Sequence, residues 1–313
     1  MSDATLTFTH HRPRLHRIAY RMLGSWADAE DVVQDAWLKW HAADPGTLTN
    51  MEAWLVSVTT RLSIDRLRAL KIRRGHYPGR WLPEPDLEDL VVDPAPTPEQ
   101  AVQQAHDVSY ALLTVLERLS PESRAAFLLR EVFDERYEEI ARVLNRSEAA
   151  CRQLVHRART RLQDERQPAP VAQESQHDLF QAFAQAASTG DFATLKAVLA
   201  ADASLVGDGG GKVPSFGKPL LGDQRIAQLY LATCRRYRGR VHCEVALASG
   251  QWRLLRYIEN RLESVQYLET DGTHITRIHA QRNPDKLAQI AQILGCELDY
   301  FYSGVTDRQR HPS

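Results

Sequence analysis

No apolar run of about 18 residues or more occurs in the chain, so no segment is long enough to span a bilayer as a helix. Met1 to Arg14 also lacks an apolar block ahead of a small-residue cleavage site, so no export signal is expected. A soluble cytoplasmic product with no membrane partner follows as the expectation. Cysteine is sparse: Cys151, Cys234, Cys243 and Cys296 stand far apart without CxxC spacing, which speaks against a disulfide framework or a zinc site. A phosphate loop is missing too. The glycine run Asp208, Gly209, Gly210, Gly211, Lys212 is followed by Val213, where a nucleotide-binding loop needs a Ser or Thr for magnesium. His242, Glu244, Asp271, His274 and His279 could supply acid and base pairs, but their spacing brings none of them together. No catalytic residue, metal or cofactor is therefore expected, and the chain does not read as an enzyme.

Charge is balanced overall, at a formal net charge of -1, yet it is unevenly distributed. From Arg61 to Arg74 the basic residues Arg61, Arg66, Arg68, Lys71, Arg73 and Arg74 face a single acid, Asp65. From Trp81 to Asp107 the sign reverses, with Glu84, Asp86, Glu88, Asp89, Asp93, Glu99 and Asp107 and neither Lys nor Arg. A basic helix next to an acidic, Pro-rich stretch is the footprint of a nucleic-acid binder followed by a linker. Breakers divide the chain further: a helical block over 1–78, the acidic linker over 79–103, a second helical block over 104–166, a short linker over 167–176 and a mixed region over 177–313.

In the first block, Ser25 to Asp28 has capping-box form, and Ala29, Val32, Val33, Ala36, Trp37 and Trp40 recur at helical spacing. The opposite face carries Asp28, Asp31, Gln34, Asp35 and Leu38, which as a solvated surface needs no partner. Asn50 is placed to cap a second helix running through Trp54 toward the basic cluster, where Asp65 can pair with Arg61 and Arg68 one turn away. The second block ends in a helix-turn-helix pattern: Tyr137 to Leu144, a turn at Asn145 to Ser147, and a helix from Glu148 to about Leu162 capped by Ser147. Ala150, Cys151, Leu154, Val155 and Ala158 form its apolar side. Arg146, Arg152, Gln153, His156, Arg157 and Arg159 are left outside, the side-chain types that contact base edges and phosphates in a major groove. Helix pairs with polar outer faces also occur in proteins that never touch DNA.

The segments DAEDVVQDAWLKW (Asp28 to Trp40), AWLVSVTTRLSIDRLR (Ala53 to Arg68) and YEEIARVLNRSEAACRQLVHRARTRL (Tyr137 to Leu162) resemble, in order, the extracytoplasmic-function sigma factors of bacterial RNA polymerase. The motifs WLPEP (Trp81, Leu82, Pro83, Glu84, Pro85), DGGGK (Asp208 to Lys212) and NPDKL (Asn283, Pro284, Asp285, Lys286, Leu287) resemble the signatures of group 41 of that family, which carries a SnoaL-like extension. Arg146 departs from the small residue many relatives have in the turn. The resemblance implies a multidomain chain: an all-α region 2 bundle, an all-α region 4 helix-turn-helix, and an α+β SnoaL- or NTF2-like cone. It implies core polymerase docking by Asp31, Gln34 and Asp35. It also implies minus 10 contacts by Asn50, Trp54 and Arg61 within and after the loop from His41, and minus 35 contacts by Arg146, Ser147, Arg152, Gln153, His156 and Arg157. The three motifs would form a regulatory interface acting in cis, with no separate anti-sigma factor and an unidentified small ligand as a further candidate partner of the cone. The alternative is a one-component regulator that senses a ligand and binds an operator without polymerase.

Read locally, DGGGK is either a turn needing positive φ or a contact surface. Asn283 and Pro284 are natural cap and first-turn residues. WLPEP sets a large ring between rigid prolines, a form suited to docking. Helices are expected over 175–187, 192–199 and 224–238, and strands over 241–247, 252–257, 262–268 and 275–280.

Overall fold

The computed structural model describes residues 3–43, 50–86, 91–92, 110–163, 173–248 and 250–299. It divides into two compact units, one built from residues 1–76 and 108–167, the other from 77–107 and 168–313. Among the described residues, no helix is long and apolar enough to cross a membrane.

The first unit is all helical: α1 (Asp3–Leu23), α2 (Trp26–Ala42), α3 (Met51–Arg74), α4 (Tyr110–Leu116), α5 (Pro121–Glu131), α6 (Tyr137–Leu144) and α7 (Glu148–Gln163). Local chemistry fixes the starts. The Ser25 hydroxyl accepts from the Asp28 amide at 3.3 Å, the Asn50 side chain from Ala53 at 2.9 Å, and Ser147 from Ala150 at 3.2 Å. Asn145 ends α6 in the left-handed region at φ 51°, and the Arg146 amide returns to the Ala141 carbonyl, so the chain reverses into α7. Ala29, Val32, Val33, Ala36 and Trp40 of α2 are buried, and one apolar core runs from Phe8 through α3 to Cys151, Leu154, Val155 and Ala158 of α7. The two helical stretches of the sequence thus share a core. Ion pairs reinforce it: Arg14 bridges Glu52 and Glu135, Arg68 reaches Glu122 at 2.5 Å, and Glu117 sits between Arg74 and the buried Arg124.

The second unit is α+β. Its strands are β1 (Val91–Val92), β2 (Leu199–Asp208), β3 (Leu220–Leu221), β4 (Val241–Ala248), β5 (Gln251–Ile258), β6 (Arg261–Thr270), β7 (Ile275–Gln281) and β8 (Glu297–Leu298). They form one sheet in the order β1-β4-β5-β6-β7-β2-β3, with β8 added to β6. The pairs β4-β5, β5-β6 and β6-β7 are antiparallel, whereas β2 runs parallel to β7. Helices α8 (Gln173–Thr189), α9 (Phe192–Val198) and α10 (Asp223–Arg236) supply Phe180, Phe183, Leu195, Ile226 and Tyr230 to a core with Val245, Leu254 and Ile278 of the sheet. Helix α11 (Pro284–Leu294) follows β7 directly. The linker joins this unit as a strand, Val91 opposite Leu247 and Val92 opposite Ala246.

The four expected strands and three expected helices of this region are present, with ends shifted by a few residues. β2 was not anticipated: its sequence LAADASLVGD alternates weakly, and its pairing is set by β7, more than sixty residues later. The expected Asp65 pairing holds for Arg68, at 2.9 Å, but Arg61 turns instead to α6.

Candidate functional site

On α2, Asp31, Gln34 and Asp35 form an exposed acidic stripe, continued by the exposed Leu38. Asp31 is not isolated: Arg66 of α3 donates to it at 2.9 Å and to Asp28 at 2.8 Å, fixing one edge of the stripe. Asn50 is committed to its cap. Trp54 is partly buried, its ring centre 5.7 Å from that of Trp40. Residues 44–49 of the expected minus 10 loop lie outside the described residues.

Arg61 donates through Nε to the Val143 carbonyl at 2.8 Å and through Nη2 to the Arg142 carbonyl at 2.7 Å. Those carbonyls end α6, where helix geometry leaves oxygens without intrahelical donors and the dipole favours a cation. The basic cluster is therefore partly spent inside the unit, since Arg66, Arg68 and Arg74 also hold acids there.

Helix α7 presents Arg152, Gln153, His156, Arg157 and Arg159 on its exposed face, while Arg146 and Ser147 stand exposed in the turn. Arg152 pairs with Glu148 at 2.7 Å and lies over the Tyr137 ring, 4.9 Å from its centre. Arg157 donates to the Gln153 carbonyl at 3.3 Å, and Arg159 to Glu131 at 2.7 Å.

In the second unit the three motifs meet around one carboxylate. Asp208 ends β2 and is fully buried. Its Oδ1 accepts from the Tyr77 hydroxyl at 2.7 Å and the Gly210 amide at 2.9 Å. Its Oδ2 accepts from the Leu82 amide at 2.9 Å, Lys286 Nζ at 2.7 Å and Gln281 Nε2 at 3.3 Å. Lys286 Nζ also donates to the Leu82 carbonyl at 2.6 Å and lies 4.2 Å from the centre of the Trp81 ring and 5.1 Å from that of Tyr77. Gln281 reaches the carbonyls of Leu82 at 3.2 Å and Pro83 at 3.1 Å. Leu82, Pro83 and Pro85 are buried, with Glu84 half-buried, and Arg253 donates to the Asp86 carbonyl. Burial first, and the Asp208 charge second, push the Tyr77 phenol far above its ordinary value, so it stays a donor.

The glycines make room for this. Gly210 and Gly211 have φ of 62° and 72°, and an added Cβ would stand 2.4 Å from the Asn283 side chain and 2.4 Å from Pro78 Cγ, respectively. At Gly209 a Cβ would meet the Val213 carbonyl at 2.2 Å. Asn283 caps α11 through Asp285, 3.1 Å, and donates to the Tyr77 hydroxyl at 2.9 Å; Pro284 and Leu287 are buried below it. Lys212 pairs with Asp285 at 2.6 Å on the surface.

Of the motif residues, Asp208, Gly210, Gly211, Leu82, Trp81, Asn283 and Lys286 are thus in one cluster. Sequence reasoning missed two members, Tyr77 and Gln281. Gln281 closes a strand already mixed with Thr276, Arg277 and His279 and so carried no distinct signal, and Tyr77 had none beyond preceding Pro78 and Gly79. The acid and base candidates lie apart: His242 with Glu244 at 2.8 Å on β4, Asp271 accepting from the His274 amide at 2.8 Å in the β6-β7 turn, and His279 of β7 paired at 2.8 Å with Glu269 of β6, which was not among them. β4 and β7 are three strand spacings apart, about 14 Å. Glu88, Asp89, Asp93, Glu99 and Asp107 of the acidic linker lie outside the described residues.

The family model "Sigma-70 region 2" matches residues 7–72, and "Sigma-70, region 4" matches residues 109–162. The ECF RNA polymerase sigma factor SigJ of Mycobacterium tuberculosis is 38% identical over 229 residues, covering 72% of this chain and 72% of its own length. The probable ECF RNA polymerase sigma factor SigI of the same organism is 32% identical over 291 residues, covering 91% and 95%. The crystal structure of M. tuberculosis extracytoplasmic function sigma factor SigJ is similar at a TM-score of 0.69 and 30% identity, over 91% of this chain and 98% of that one.

Proposed function

Because the chain belongs to the extracytoplasmic-function RNA polymerase sigma factors, transcription initiation factors by function, we propose a specific division of labour among its surfaces. Asp31, Gln34 and Asp35 dock on core RNA polymerase in the cytoplasm. Asn50, Trp54 and Arg61 engage the unpaired strand of the minus 10 element, where a base pocket and cations along the backbone are needed. Gln153 and His156, with Arg146, Ser147, Arg152 and Arg157, read and hold the minus 35 element from α7.

The SnoaL-like C-terminal domain regulates this activity in cis, in place of a separate anti-sigma factor, and has no catalytic role. The observation that carries the reading is the fivefold coordination of Asp208, which ties Tyr77 and Leu82 to the C-terminal sheet. The segment from Tyr77 to Leu82 is thereby anchored on that sheet. Promoter-specific transcription with purified core enzyme tests the whole. Asp31→Lys with Asp35→Lys should abolish core binding, and deletion of the residues after Gln167 should alter the transcript yield. Unchanged transcription from the deletion and from Asp208→Ala alike would remove the cis-regulatory part. A double Lys variant that still binds core with full affinity would remove the docking assignment.

A further inference from the structure

A cavity of about 200 Å³ lies inside the C-terminal unit, between α10, the sheet and the segment Pro214 to Phe216. Its walls are apolar at Leu205, Phe216, Leu229 and Ile258, but three charged groups also line it: Arg256, Glu263 and Arg282. Charge inside a fold needs a compensating partner, because water no longer solvates it.

Glu263 is satisfied. Its Oε1 accepts from Arg282 Nε at 2.6 Å and its Oε2 from the Ser264 hydroxyl at 2.7 Å. Arg282 also donates to the Pro214 carbonyl. Burial works to raise the Glu263 carboxyl, but Arg282 and Arg256 outweigh it and hold the group below its ordinary value. Arg256 is the odd charge. It is 7% exposed, it comes no closer to Glu263 than 3.8 Å, and its buried Nε donates to no group among the described residues. Its guanidinium lies 5.0 Å from the centre of the Tyr230 ring, while the Tyr230 hydroxyl is taken by Gln266 at 2.6 Å. Two guanidinium groups thus face one carboxylate.

We propose that this cavity is a binding site for a small monocarboxylate with an apolar body, its carboxylate on Arg256 and its body against Leu205, Phe216, Leu229 and Ile258. Size and charge both select this class. A closed apolar cavity of about 150 Å³ suffices for benzene, so the space here takes one ring or a short branched chain. Two guanidinium groups against one carboxylate leave one positive charge in excess, which matches one negative charge. A phosphate dianion would exceed it and would leave oxygens against apolar walls without donors. The inference is independent of the promoter and polymerase assignments, because its readout is binding to the full-length protein.

Fluorine NMR with 4-fluorobenzoate and with 4-fluorobenzyl alcohol tests it. The acid should bind saturably at one site per chain. The alcohol, of nearly equal size, should bind roughly ten- to a hundredfold more weakly, the worth of a charge-assisted hydrogen bond. Arg256→Met, checked for folding by circular dichroism, should lose the preference for the acid. Equal affinity for acid and alcohol, or no binding of the acid up to its solubility, overturns the proposal with the unaltered protein alone. So does a folded Arg256→Met that keeps the preference. Inorganic phosphate displacing the acid at equal concentration would reduce the site to a general anion trap and overturn it as well.

Discussion

Lys286 Nζ lies 2.7 Å from Asp208 Oδ2, and both side chains are more than nine-tenths buried. The two are not equivalent. Asp208 has further donors in Tyr77, Leu82, Gly210 and Gln281, whereas Lys286 also has the Leu82 carbonyl and two aromatic faces. Asp208→Ala therefore removes the counter-charge of a buried ammonium and the acceptor of four other donors together, and should destabilise the C-terminal unit by about 3–5 kcal/mol. Lys286→Met leaves a carboxylate still held by hydrogen bonds and should cost clearly less. Thermal denaturation of both variants checks the order; equal losses would mean that the ion pair itself, not the hydrogen-bonded carboxylate, organises the cluster.

Gly211 supports the same cluster sterically. In Gly211→Ala the methyl meets Pro78, so the Tyr77-Pro78 segment must move off the sheet. Gly79 has a similar positive φ of 86° but open space around it, and Gly79→Ala should cost only the backbone penalty of about 1–2 kcal/mol. Limited proteolysis between residues 77 and 86 should accelerate in Gly211→Ala and stay near the unaltered rate in Gly79→Ala. Equal rates in the two variants would show that the linker is not seated by this contact.

What the sequence made legible follows the range of the interactions. The caps at Ser25, Asn50, Ser147 and Asn283 are satisfied within three residues, and each is where local chemistry predicts it. The antiparallel strands β4 to β7 are neighbours in sequence and in space, so their alternation suffices. β2 takes its partner from a parallel crossover and was missed. The motifs WLPEP, DGGGK and NPDKL could be picked out and, by resemblance, grouped as one interface, but Asp208 as the acceptor they share could not, because Asp208 and Leu82 are 126 residues apart. Arg256 is masked similarly: a lone arginine between Leu255 and Tyr257 reads as an outward residue until the cavity is seen.

On α7, Gln153 and Arg157 should behave differently toward minus 35 DNA. Gln153→Ala removes a side chain able to pair with an adenine edge, so discrimination at one base pair should relax by about 1–3 kcal/mol with little change in salt dependence. If Arg157 holds a phosphate, Arg157→Ala should lower affinity for all sequences and reduce the slope of log affinity against log salt by about 1. Titrations over a salt series with matched and mutated sites separate the two. If Gln153→Ala weakens every sequence equally, the assignment of base readout to that residue is wrong.

Arg61 has two calls on one guanidinium. In the free protein it bridges the Arg142 and Val143 carbonyls at the end of α6, an arrangement only a planar fork makes well. If Arg61 contacts minus 10 DNA as proposed, the strand must first take it from α6, which would couple promoter engagement to separation of α3 from α6. Arg61→Lys keeps a cation for the DNA backbone but cannot hold both carbonyls. It should loosen the α3-α6 contact by about 1–2 kcal/mol, seen as broadened distances between labels on α3 and α6, while single-stranded minus 10 DNA binds as well as before or better. Arg61→Ala should loosen the contact equally and weaken DNA binding. If Lys and Ala variants lose DNA affinity to the same extent, Arg61 acts on DNA through its fork geometry and the latch plays no part; if neither alters the label distances, α6 is held by the shared apolar core alone.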